Sequence, residues 1–209
     1  ALVDIVTEVD DAFFAAQKIE KGVMTLVDEA RQGALVAAID LDAADKQCGG
    51  SAANTVIGAA QMGARTFYSC KVADDALGQF YLSDLKGNGA DTNLDADALP
   101  AGITGKCLVM TTPDAERTMN TFLGITATFT AEQIDEAALA DSDYLYIEGY
   151  LVTSPNGVDA MKAAKSKAEA LGVRTALTFS DPAMVKYFGE AMKEVIGSGI
   201  DLLFCNEEE

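Results

Sequence analysis

The 209-residue sequence contains no histidine and no tryptophan, and only four prolines and four cysteines. Without histidine, neither a Ser-His-Asp nor a Cys-His mechanism can be assembled within the chain. Any general base in it is therefore a carboxylate. Cys48, Cys70, Cys107 and Cys205 are scattered without a CxxC pair. Thiols spaced this way, with no imidazole to join them, argue against a zinc site. Unpaired thiols fit a reducing, cytoplasmic setting. No uninterrupted apolar stretch approaches the roughly 18 residues of a membrane span. The opening Ala1-Leu2-Val3-Asp4-Ile5-Val6 has neither the basic n-region nor the cleavage site of a signal peptide. It also lacks an initiator methionine, which fits a piece of a longer protein.

Cationic residues are scarce as well. Fifteen Lys and Arg face 33 Asp and Glu, for a net charge of −18. Such a surface repels phosphate backbones and anionic bilayers, which argues against nucleic acid and membrane as partners. A polyanionic ligand would have to be held by local donors or a metal, against the overall field. What remains is ordinary for a folded domain: 49% hydrophobic and 23% charged residues, enough for one sizeable core. No internal repeat, low-complexity segment or linker divides the chain.

One stretch stands out, Cys48-Gly49-Gly50-Ser51-Ala52-Ala53-Asn54-Thr55, followed by an apolar run of helical character. Glycines let backbone N–H groups approach a ligand, and a helix start leaves N–H donors unpaired. Asn54, in the first turn, can both donate and accept. The same residues also read as a tight turn with Ser51 as the N-cap. A second feature is Asp4, a carboxylate inside the apolar strand Leu2-Val3-Asp4-Ile5-Val6. Such a charge is expensive unless it is functional or sits at the strand's solvated carboxyl end.

Along the chain, residues 22–27 read as a strand and 28–38 as a short helix. Gly63 is a C-cap before a strand over 64–72. Asp74-Asp75 open a helix whose Ala76, Leu77, Phe80, Tyr81 and Leu85 recur at core spacing. Residues 106–112 and 118–123 flank Pro113-Asp114 and predict a β-hairpin. Thr130 with Gln133 forms a capping box for a helix through Leu139. From residue 144 the order is strand, helix, strand, helix, strand. Ser154-Pro155 and Asp181-Pro182 cap the two helices, and the last strand covers 200–205. That order predicts a parallel sheet with right-handed crossovers. Ligands bind beyond the carboxyl ends of such strands. Glu148, Asp181 and Asn206 with Glu207, Glu208 and Glu209 all fall there, as hydroxyl or Mg2+ ligands or as plain helix caps.

Taken together, Gly49-Gly50-Ser51-Ala52-Ala53-Asn54, Asp74-Asp75-Ala76-Leu77-Gly78 and Asn206-Glu207-Glu208-Glu209 resemble the ribokinase or PfkB family of carbohydrate and nucleoside kinases. Leu2-Val3-Asp4-Ile5 and the run from Ile200 to Glu207 resemble its adenosine-kinase-like branch. The resemblance implies an α/β fold, a three-layer α/β/α sandwich with a small β-sheet lid. Residues 1–209 would form a single domain cut short at its C-terminal end, with lid segments at about 7–27, 40–48 and 106–124. At the matching positions, Asp4 would bind sugar hydroxyls, Gly49 and Gly50 would let the backbone close on the sugar, Asn54 would bind another hydroxyl, and Glu148 would face the sugar. Asn206 and Glu209 match the Asn-x-x-Glu motif, which indirectly places Mg2+ and the phosphates. Met24, Leu26 and Met110 are either lid contacts or strand core, and Arg117 is either a phosphate or sugar contact or a surface arginine. A homodimer through the lid is also implied, marked by an exposed apolar face on the hairpin.

The family's catalytic Gly-Ala-Gly-Asp loop stabilises the transferring group and deprotonates the acceptor hydroxyl. It would fall beyond Glu209, along with the nucleotide pocket, so no catalytic residue is expected within this chain. The resemblance implies that the intact protein transfers phosphate from ATP, with Mg2+, to a hydroxymethyl group of an adenosine-like nucleoside or a sugar, and that the 209-residue piece is inactive alone. Three readings compete. A non-catalytic sugar- or nucleoside-binding module would not need the catalytic loop. A fructokinase- or ribokinase-type sugar kinase would differ in lid side chains. A dinucleotide-binding dehydrogenase would need Gly-x-Gly-x-x-Gly after its first strand, which the sequence lacks.

Overall fold

The first strand shows how alternation organises this chain. In β1 (Leu2–Glu8), Val3 and Ile5 are buried at 0% and 3% exposure, while Asp4 and Val6 point to the opposite face. The strand continues for four residues past Asp4, so the carboxylate lies mid-strand and not at a carboxyl end. The computed structural model describes residues 1–39 and 44–209. The expected lid segment 40–48 thus falls partly outside the described residues.

After β1 comes α1 (Asp11–Gln17), a helix the sequence reading did not foresee. Asp10 Oδ1 caps it by accepting from the Phe13 N–H at 2.8 Å. Next are β2 (Met24–Leu26) and the expected short helix, α2 (Glu29–Ala37), which Asp28 caps by accepting from the Arg31 N–H. β3 (Asp45–Gly49) leads directly into α3 (Ser51–Gln61). The strand expected over 64–72 shrinks to β4 (Phe67–Tyr68). Beyond it the backbone bonds to a side chain: Asn93 accepts from the Cys70 N–H and donates to its carbonyl. α4 (Ala76–Gly87) has Asp75 as its N-cap, and β5 (Asp91–Thr92) pairs with β4.

β6 (Lys106–Thr111) and β7 (Arg117–Phe122) form the expected hairpin. Together with β1 they make a five-stranded mixed sheet of order β2-β7-β6-β1-β3. Its register creates two rows of side chains on one face. Gln47, Asp4, Cys107, Thr121 and Leu26 lie side by side, followed by Asp45, Val6, Val109, Met119 and Met24. The opposite face carries Val3, Ile5, Leu108 and Met110, which pack with Phe14, Leu35, Tyr81 and Leu85 into the main core. Met110 is fully buried there, which makes it core, whereas Met24 and Leu26 share the face of Asp4.

The second half follows the predicted alternation, with shifted boundaries. The capping box closes, since the Thr130 N–H donates to Gln133 Oε1 at 2.8 Å. The turn that follows is only a 3₁₀ turn, Ala131–Gln133, and a separate α5 (Glu136–Ala140) starts from its own cap at Asp135. β8 (Tyr144–Glu148) is followed by a 3₁₀ turn, Gly149–Thr153, and α6 (Gly157–Leu171). α6 starts two residues after Pro155, with Asn156 and not Ser154 at its N-cap and no side-chain cap bond among the described residues. Gly157 at its first position is pressed against the Leu151 carbonyl, where no Cβ fits. Then come β9 (Arg174–Thr178), α7 (Pro182–Ile196) capped by Asp181, and β10 (Leu202–Phe204). The three strands form the expected parallel sheet of order β10-β9-β8. Ile147, Leu177, Met161 and Met192 fill its core. Among the described residues no helix is long and apolar enough to cross a membrane, and all four cysteines are free thiols.

Candidate functional site

Gly49 ends β3 and is the register partner of Leu2 on β1. The Asp4 side chain fills the space beside it. A Cβ on Gly49 would fall 2.6 Å from Asp4 Oδ2 and closer still to Oδ1 and Cγ. Glycine is therefore required here by the carboxylate itself. Burial pushes the Asp4 carboxyl up to about 6, against the opposing pull of the Arg117 guanidinium two rows along the same face. Among the described residues no side chain hydrogen-bonds to this carboxylate.

The turn into α3 is fixed from below by α4. Asp84 Oδ2 accepts from the Cys48 N–H at 2.7 Å, and the Tyr81 hydroxyl donates to the Gly49 carbonyl at 3.3 Å. Gly50 then turns the chain at φ 90°, a conformation that side chains rarely adopt. Gly50, and not Ser51, is the N-cap, and no side chain caps this helix. Ser51 is instead the first helical residue, and its hydroxyl donates to Glu148 Oε1 at 2.5 Å. Asn54 lies one turn into α3; its N–H donates to the Gly50 carbonyl, and its side chain is exposed.

Glu148 closes β8 and is buried at 8% exposure. It caps nothing: its side chain makes no bond to the turn that follows. Oε1 accepts from both Ser51 Oγ and, at 3.0 Å, Ser180 Oγ. Among the described residues the buried Oε2 has no partner, and a buried acceptor left empty carries a desolvation cost. Asp4 meets Gly49 and Glu148 meets Ser51, so the two carboxyl groups flank the Gly49-Gly50 turn. Asp4, Gly49, Gly50, Ser51 and Glu148 form a continuous series of contacts across two sheets.

The last predicted element behaves differently. Asn206 Oδ1 accepts from the N–H groups of Glu208 and Glu209, and its Nδ2 donates to Glu209 Oε1 at 3.3 Å. The pair thus forms a local turn at the end of β10, where Asn206 is exposed. Glu209 lies near enough to Tyr150 for its charge to act on that phenol, which brings the turn toward Asp181 and Glu148. Burial first, and Asp181 next, push the Tyr150 hydroxyl up to about 12; that hydroxyl sits 3.3 Å from Asp181 Oδ2. Among the described residues no three His, Cys, Asp or Glu side chains converge on a metal position.

The family model for pfkB family carbohydrate kinases matches residues 17–209. The chain belongs to this family. Two solved structures share its fold over 100% of its length: the adenosine kinase from Sinorhizobium meliloti (35% identity, TM-score 0.90) and a probable sugar kinase from Rhizobium etli CFN 42 (31%, 0.89). The chain covers 63% of each. The ribokinase of Staphylococcus aureus is 29% identical over 163 residues, 77% of this chain and 49% of that protein. A 5-dehydro-2-deoxygluconokinase from Geobacillus thermodenitrificans is 42% identical over 60 residues, 29% of this chain and 18% of the relative. The chain thus spans about half or less of these curated relatives. The fold is the ribokinase-like α/β fold expected from the three motifs.

Within that family frame, sequence reasoning missed two participants, Ser51 in its actual role and Ser180 altogether. The short polar residue at the helix start signals a cap, and nothing local reveals that the hydroxyl turns to a strand 97 positions away. Ser180 precedes an Asp-Pro cap that fully explains its neighbours.

Proposed function

We propose that the intact protein containing this chain transfers a phosphoryl group from ATP to a hydroxymethyl group of a nucleoside or sugar, and that this chain supplies the acceptor-binding half of the site. The observation that carries the reading is a pair of carboxyl groups with open acceptor oxygens on the two sides of the Gly49-Gly50 turn: among the described residues no side chain hydrogen-bonds to Asp4, and Glu148 Oε2 has no partner. Vicinal hydroxyls are donors of the kind such oxygens lack. The ionised Asp4 carboxylate accepts from one hydroxyl, Glu148 Oε2 from another, and the Asn54 side chain donates to or accepts from a third.

The Gly49-Gly50 backbone brings the uncapped N–H groups of α3 to the acceptor's oxygens. The turn binds the acceptor and not the nucleotide phosphates. ATP with Mg2+, when bound, would supply the phosphoryl group and offset its negative charge. The amide and carboxylate oxygens of Asn206 and Glu209 suit a hard cation that keeps most of its water, which is the indirect role assigned to them. An adenosine-like acceptor is favoured by the branch resemblance and by the likeness to the Sinorhizobium meliloti adenosine kinase. The face of β2, β6 and β7 that carries Met24 and Leu26 is the lid surface over that acceptor.

An ADP-release assay of the intact protein against a panel of nucleosides and sugars tests the reading. Turnover with one acceptor class is expected. Binding of an acceptor without any ADP release would support a non-catalytic binding module instead.

A further inference from the structure

Ser180 sits in a conformation that serine rarely adopts. Its φ is 72°, and the Asp181 N–H donates back across it to the Phe179 carbonyl at 2.9 Å. This is the positive-φ γ-turn, the rarer and more strained of the two forms. The turn is held from three sides. The Phe179 N–H donates to the Phe204 carbonyl, the Ser180 N–H donates to Thr178 Oγ1 at 3.1 Å, and Asp181 goes on to cap α7. None of these bonds needs a serine. The one group that depends on the residue type is the hydroxyl, and it donates to Glu148 Oε1 at 3.0 Å.

Ser51 donates to the same oxygen from the opposite element. Both serine hydroxyls thus meet on Oε1, while Oε2 of this buried residue, 8% exposed, has no partner among the described residues. Two donors on one carboxyl oxygen, with the Tyr146 phenol on the same strand also facing the group, fix its rotation and leave Oε2 as its open acceptor among the described residues. Strained backbone maintained by surrounding bonds is characteristic of places where a side chain must be held in one position.

We infer that Ser180, acting with Ser51, is a positioning residue for Glu148: the γ-turn delivers a hydroxyl that locks the carboxyl so that Oε2 alone meets a hydroxyl of the acceptor. The inference rests on the reading of Glu148 as an acceptor ligand. It adds that this ligand takes one hydroxyl through one oxygen, and that its orientation is set from the loop after β9.

Two substitutions separate positioning from structure. Ser180→Ala removes the hydroxyl and keeps the strain; Ser180→Gly removes both. In the intact protein, with the acceptor its screen identifies, both variants should raise the acceptor KM about tenfold, the scale of one hydrogen bond to a charged group. The KM for ATP should stay within about twofold, and Ser180→Gly should melt at or above the wild-type temperature because its backbone strain is gone. A glycine variant that keeps the wild-type acceptor KM would overturn the inference, since the turn alone would then suffice. So would a parallel rise in both KM values together with a fall in Tm. Glu148→Gln serves as the control on the underlying reading. If it leaves the acceptor KM unchanged, Glu148 is no ligand and both claims fall. If it raises that KM while the Ser180 variants do not, only the positioning role is lost.

Discussion

The carboxylate of Asp4 occupies the place where a side chain on Gly49 would stand. The two residues are 45 positions apart, on antiparallel neighbours β1 and β3. Their contact ties the charged residue of one strand to the glycine turn at the end of the other. The position of the loop and the position of the carboxylate are therefore one structural fact, and a change to either is felt at both.

Gly49→Ala is the direct test of that coupling. The added methyl cannot coexist with the carboxylate in its present position. Either Asp4 rotates away or the strands separate, at an expected cost of about 1–3 kcal/mol. Calorimetric unfolding should show the loss, and the acceptor KM of the intact protein should rise more than tenfold. Adding Asp4→Ala should recover stability but not acceptor binding.

Burial of Asp4 also predicts a pH dependence. Its carboxyl is pushed up to about 6, whereas in an unfolded chain it titrates near about 4. Between those values the native state keeps a proton that the unfolded state has lost. Stability therefore falls as pH rises from about 4 to about 6, and the penalty is complete above. Asp4→Asn removes it. The variant should be more stable than wild type by up to about 2 kcal/mol near neutral pH and no more stable below about pH 4. Denaturant titrations across that range check the sign. Acceptor binding needs the ionised form, so the wild-type acceptor KM should rise as pH drops through about 6.

Asn54 has an exposed side chain and its backbone is already satisfied within α3. Asn54→Ala should therefore leave the unfolding free energy within about 0.5 kcal/mol of wild type. It should weaken acceptor binding about tenfold, and ATP binding by much less. Equal losses for both substrates would mean that the Gly-Gly turn serves the nucleotide.

Asp84 supports the turn from α4 by accepting from the buried Cys48 N–H. Asp84→Ala strands that donor in the core, and the expected destabilisation is about 1–3 kcal/mol. Hydrogen exchange at Cys48 should accelerate more than exchange across β8 and β9, because the loss is local.

The legibility of this chain divides along physical lines. Features that depend on near neighbours could be read directly. The caps at Asp75 and Asp181 and the short helix over 28–38 form as the spacing predicts, as do the hairpin around Pro113-Asp114 and the alternation of β8, α6, β9, α7 and β10. The motifs Gly49-Gly50-Ser51-Ala52-Ala53-Asn54 and Asn206-Glu207-Glu208-Glu209 pointed to the family. Where local signals compete, the reading slipped. α1 was hidden because its 7 residues are too few to show a helical period, and the strand over 64–72 lost to backbone bonds made by Asn93.

The sequence by itself determined which residues want burial, where helices start and stop, and which glycines and carboxyl groups stand out. Only the tertiary structure decided what those groups face. It turned Ser51 from a cap into a donor to Glu148, set Met110 in the core while Met24 and Leu26 share the face of Asp4, and brought Ser180 to a carboxyl oxygen 32 residues away. The reason is that a hydroxyl's or carboxyl's own sequence neighbours fix its backbone but not its partner. Strand order and register choose that partner, and they are settled by packing across the whole chain.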